Sequence, residues 1–114
     1  LMAISEGLRR HFPDAVKVRY GGEEFAVIFC DSEIIEIHRR IQLFMKALQS
    51  GLGHFVQGIK TLDNVSLEQM QGIKLTLSVG ISAFEKGCIN ESILKADQSL
   101  YEVKKSGRNG IQVS

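Results

Sequence analysis

Tryptophan is absent from this 114-residue sequence, proline occurs once, at Pro13, and cysteine only twice. One proline leaves no room for a proline-rich linker, and no low-complexity tract or internal repeat interrupts the chain. Cys30 and Cys88 stand apart without metal-ligand spacing, which points to a reduced, cytoplasmic setting rather than a disulfide scaffold. No apolar run approaches the roughly 20 residues of a membrane span, and the first residues lack the basic and apolar regions of a signal peptide. An excess of one charge is missing too. Fourteen basic against thirteen acidic residues leave a formal +1, so no global field draws the chain to nucleic acid or an anionic membrane, and any phosphate recognition is local. The length suits one domain over residues 1–114, able to bury about two-thirds of its unfolded surface.

Hydrophobic periodicity orders the elements. Leu1, Ile4, Leu8 and Phe12 share a helical face that stops at Pro13-Asp14. Val16, Val18 and Tyr20 alternate with Lys17 and Arg19, as in a strand with one buried face, and Phe25 to Phe29 is apolar on both faces, as in a covered central strand. Asp31-Ser32-Glu33 is a plausible N-cap for a helix whose stripe runs through Ile34, Ile37, Ile41, Phe44 and Leu48 to near Gly51. Phe55 to Leu62 reads as a strand and Val65 to Gln71 as a short helical turn or loop. Lys74 to Phe84 alternates as a long strand, with Gly80 marking a bulge or a close backbone approach. A last helix from about Glu91, capped by Asn90, runs through Ile93, Ala96, Leu100 and Val103 to Gly107, and Ile111 and Val113 form a short strand. This order predicts an α+β fold, helices packed on a largely antiparallel sheet.

Packing accounts least well for Arg19-Tyr-Gly-Gly-Glu-Glu-Phe25, between two apolar runs. Gly21 and Gly22 admit positive φ and leave the backbone bare, so a flat or phosphorylated ligand can approach the main chain. Glu23 and Glu24 repel each other, and a fold that holds two carboxylates together usually supplies a cation or a proton. Hard oxygen ligands favour Mg²⁺ or Mn²⁺, and Mg²⁺ is typically shared with substrate phosphates. A nucleotide triphosphate site is the natural inference, although a Gly-Gly hairpin with two solvated glutamates has the same pattern.

The turn resembles the signature of the GGDEF family of diguanylate cyclases in its Gly-Gly-Glu-Glu-Phe form. Leu75 to Ser82 is similar to the family's later strand, and Ala96-Asp97, Leu100-Tyr101, Lys104 and Gly107-Arg108-Asn109 to its closing helix and turn. The resemblance implies a ferredoxin-like palm of nucleotide cyclase type. It also implies a bacterial second-messenger reaction, in which two GTP condense to cyclic di-GMP as each 3′ hydroxyl attacks the other's α-phosphate and pyrophosphate leaves. Each domain binds one GTP, so a homodimer is implied, with an upstream sensory domain in a parent chain that can itself be membrane-tethered.

By motif match, Gly21 and Gly22 lie along the nucleotide, Glu23 binds metal and is the family's proton acceptor, and Glu24 is a second metal ligand. Lys104 and Arg108 match positions that grip the β- and γ-phosphates. At a helix end, Lys104, Lys105 and Arg108 also suit the negative pole of the helix dipole, worth about 0.3–1 kcal/mol. Many family members carry an inhibitory product site, Arg-x-x-Asp, ending five residues before the double glycine. Phe12 and Ala15 hold those places, with Asp14 one residue early, so feedback at that primary site is not expected. The family's N-terminal strand and helix, which bring the other metal carboxylate, have no counterpart in these 114 residues, so the resemblance covers the C-terminal two-thirds of the domain. An active cyclase is the first expectation. A catalytically inactive GTP- or cyclic di-GMP-responsive regulatory or dimerisation module is the alternative.

Overall fold

The computed structural model describes residues 2–21, 24–50, 75–84 and 87–114. The elements are α1 (Met2–His11), β1 (Val16–Gly21), β2 (Glu24–Ile28), α2 (Ile34–Gln49), β3 (Ser78–Ile81), α3 (Ile89–Lys105) and β4 (Gly110–Val113). The α+β architecture expected from the pattern is present. The stretches read as Phe55–Leu62 and Val65–Gln71 lie outside the described residues.

β1 and β2 form an antiparallel hairpin in which Val16 faces Ile28 and Gly21 faces Glu24, with a register irregularity between Arg19 and Gly21. The buried face of β1 is not the one its alternation predicts. Val16 and Val18 are 56% and 45% exposed, whereas Lys17 is half-buried and its ammonium donates to the Phe12 carbonyl at 2.7 Å. The cause lies in the partner strand. Directly paired residues share a face, and Lys17 and Arg19 pair with Val27 and Phe25, which pack on the helices together with Phe29.

That core is built from Leu8, Phe12, Ala15, Phe44 and Leu48 of α1, the following turn and α2. Phe12, Phe44 and Leu48 are almost wholly buried, each contributing about 1.5–3 kcal/mol by removal of apolar surface from water. Phe12 meets Phe29 and Phe44 edge to face, with centroids 5.5 Å apart in both pairs, the arrangement ring quadrupoles prefer. α2 starts at Ile34 after Glu33, which makes no side-chain capping bond; the Ser32 hydroxyl donates instead to the Cys30 carbonyl.

The second unit is β3–α3–β4, in which β3 and β4 pair in parallel from Ser78↔Gly110 to Ile81↔Val113. β3 is shorter than the alternation from Lys74 to Phe84 predicts, because its partner offers only four residues. Gly80 provides the expected close approach: a Cβ there would stand 2.1 Å from the Ala96 carbonyl oxygen and 2.5 Å from the Leu100 amide nitrogen. α3 therefore buries a face of small residues. Ser92, Ser99 and Val103 are buried and Ala96 partly so, while Ile93, expected in the stripe, is 37% exposed. The helix also begins earlier than expected, at Ile89 after Cys88.

Candidate functional site

The hairpin mouth and the C-terminal end of α3 meet. Glu24 opens β2 opposite Gly21, and its Oε1 accepts a hydrogen bond from Lys104 Nζ at 3.0 Å. Both side chains are partly solvated, Lys104 at 35% and Glu24 at 42% exposure. Two candidate residues far apart in sequence are thereby brought into contact. Gly22 and Glu23, which join the strands, lie outside the described residues.

Arg108 is positioned by the helix ending. Gly107, at φ +108°, follows the Ser106 cap, and the Arg108 amide donates back to the Val103 carbonyl at 2.9 Å. This is the six-to-one bond of a Schellman ending, in which glycine takes the left-handed position without a Cβ penalty. Arg108 and Asn109 continue in the left-handed region, at φ +66° and +52°. Asn109 is secured from two sides: its amide donates to Ser78 Oγ at 3.3 Å, and its Oδ1 accepts from Gln49 Nε2 at 3.1 Å. The Arg108 side chain is exposed and forms no ion pair with a described residue. Gln49 and Ser78 carry no local motif, since their roles arise from contacts distant in sequence.

The donor chemistry suits a hard divalent cation. Glu24 offers a half-exposed carboxylate, and the Lys104 ammonium against it shows that a positive centre is accommodated there. Among the described residues no cluster of three or more His, Cys, Asp or Glu side chains surrounds a metal position, and Glu24 is the one described carboxylate at this turn.

At the positions of the family's Arg-x-x-Asp site, Phe12 and Ala15 are 2% and 7% exposed and belong to the core. Asp14 faces outward and accepts two hydrogen bonds from Arg40, at 2.9 and 2.6 Å. The Arg40 guanidinium lies 5.3 Å from the Phe12 ring centroid and 5.2 Å from that of Phe29, and it holds the Asp14 carboxyl down at about 2. Asp97 and Tyr101 are exposed on α3, away from any described site contact.

The family model described as "Diguanylate cyclase, GGDEF domain" matches residues 2–110. The chain belongs to the GGDEF family. Response regulator PleD of Caulobacter vibrioides is 32% identical over 98 residues, covering 82% of this chain and 18% of PleD. The probable diguanylate cyclase DgcT of Escherichia coli is 35% identical over 103 residues, 89% of this chain and 20% of DgcT. Diguanylate cyclase DgcP of Pseudomonas aeruginosa is 28% identical and is covered over 15% of its length. This GGDEF chain thus spans a fifth or less of these relatives. The crystal structure of the GGDEF domain of DgcB from Caulobacter crescentus, in complex with c-di-GMP, superposes with a TM-score of 0.72 at 23% identity, over 97% of this chain and 60% of that one. That likeness establishes the palm-like cyclase fold. No helix among the described residues is long and apolar enough to cross a membrane.

Proposed function

We propose that this GGDEF domain is a diguanylate cyclase, converting two GTP into cyclic di-GMP and two pyrophosphates as part of a cytoplasmic homodimer driven by a sensory domain. The observation that carries the reading is the meeting of Glu24 with Lys104, which brings a metal-type carboxylate and a phosphate-type cation to one place. Gly21, opposite Glu24, leaves the strand end open to a nucleotide. Lys104 and the outward Arg108 bind the terminal phosphates, and Arg108 is suited to bidentate contact with phosphate oxygens. Glu24 and Glu23 hold Mg²⁺ or Mn²⁺, and Glu23 takes the proton of the attacking 3′ hydroxyl. When bound, the cation neutralises phosphate charge and acidifies that hydroxyl, so a carboxylate is a sufficient base. Two such sites face each other, because each GTP is both nucleophile and electrophile.

The test is incubation of the intact protein with GTP and Mg²⁺, with chromatography of the nucleotides, beside Glu23→Ala. Loss of a positioned base together with a metal ligand lowers turnover about 100-fold or more. Equal product from both proteins removes Glu23 from the mechanism, and no cyclic product from the wild type removes the reading.

A further inference from the structure

The Lys104–Glu24 contact has a consequence for the order in which ligands enter. Both residues are required elsewhere when the site is loaded: Glu24 by a divalent cation, Lys104 by phosphate. In the structure they satisfy each other at 3.0 Å. A cation approaching alone meets a carboxylate already occupied by an ammonium, and the adjacent positive charge opposes it. A polyphosphate approaching with its cation offers the ammonium a more highly charged acceptor, so one event removes the lysine and exposes the carboxylate. Both side chains are partly exposed, and a half-solvated pair of this kind is weak enough to exchange.

We propose that Lys104 is a placeholder cation for Glu24, so that the metal enters this site together with a nucleoside triphosphate and binds poorly without one. The proposal rests on the reading of Glu24 and Lys104 as metal and phosphate contacts. Lys104 thereby acts on both ligands with opposite sign: it suppresses binding of the free cation and promotes binding of the cation–nucleotide complex. A lysine that only grips phosphate would affect the second and leave the first unchanged.

Mn²⁺ alone, titrated into the intact nucleotide-free protein and followed by the paramagnetic resonance of free Mn²⁺, separates these cases. Lys104→Met should bind Mn²⁺ about threefold or more tightly than the wild type, the scale expected when a weak surface pair is released. Lys105→Met removes the same charge one residue along α3, from a side chain with no ion pair among the described residues, and should change little. In a Glu24→Gln background, Lys104→Met should produce no gain, which isolates the pair as a double-mutant cycle does. With α,β-methylene GTP present, the sign should reverse and Lys104→Met should bind Mn²⁺ more weakly than the wild type. Unchanged or weaker binding of Mn²⁺ alone by Lys104→Met overturns the proposal, as does an equal gain in Lys105→Met or in the Glu24→Gln background. If the nucleotide analogue fails to tighten Mn²⁺ binding in the wild type, the nucleotide reading of the site falls, whatever the metal-only series shows.

Discussion

Around the hairpin, Phe12, Phe29 and Phe44 fill space with large rings, whereas α3 meets β3 at Gly80, which lies directly against the backbone of Ala96 and Leu100. The first arrangement draws its stability from apolar area, and loosens by degrees when volume is removed. The second depends on backbone proximity, and has no tolerance for added volume. Each supplies part of the site. Glu24 comes from the volume-packed hairpin, and Lys104 and Arg108 from the end of the closely docked helix. Two side-chain hydrogen bonds among the described residues bridge the halves there, Lys104 to Glu24 and Gln49 to Asn109. Because Lys104 and Arg108 are carried by α3, a shift of α3 on β3 would move both relative to Glu24.

The sharpest way to break this contrast is Gly80→Ala. The new methyl group would fall 2.1 Å from a backbone oxygen that cannot rotate away, so α3 must lift, at a cost of about 4 kcal/mol or more. Urea unfolding should show that loss, and GTP binding should fall even where the variant remains folded, because Lys104 moves with the helix. Phe12→Ala attacks the other half and should cost about 3–5 kcal/mol through a cavity beside Phe29 and Phe44. Once corrected for the folded fraction, its nucleotide affinity should stay within a few-fold of wild type, since the α3–β3 contact is untouched. If Phe12→Ala weakens binding as much as Gly80→Ala does, spacing of α3 does not govern the site.

The same contrast explains what was legible in the sequence. α1, α2 and the hairpin follow from strong apolar periodicity, and Gly107 announces the end of α3 through its conformational role. Gly80 was readable as a close approach because glycine inside an alternating strand has few other uses. The buried face of α3 was not, because Ser92, Ala96 and Ser99 are small rather than apolar, and a pattern of hydrophobicity points instead to Ile93. The exposed valines of β1 misled for a related reason: a single strand does not reveal which face its partner turns to the core. At the site, glycines and carboxylates marked the turn locally. The pairing of Lys104 with Glu24, and the support of Asn109 by Gln49 and Ser78, join residues whose spacing is not encoded by either helical or strand periodicity.

A smaller effect sharpens the account of the hairpin half, where charge supplements volume. Arg40 reaches from α2 to Asp14 while its guanidinium lies over Phe12 and Phe29, tying the turn before β1 to the aromatic core. The Arg40 hydrogen bonds lower the Asp14 carboxyl from its ordinary 3.8 to about 2. A carboxyl whose folded pKa is depressed binds protons more readily when unfolded, so its stabilising contribution is complete above about pH 4 and is lost as the pH falls toward 2. Glu6, lowered to about 2 by Arg9 and Arg10, titrates in the same window, so the wild-type curve alone does not separate them. The difference between wild type and Asp14→Asn does. Wild type should have the higher Tm at pH 7, by a small margin because the pair is solvent-exposed, and the two should converge between pH 4 and pH 2. A margin that persists unchanged at pH 2 would assign the role of Asp14 to its shape and hydrogen bonding rather than to its charge.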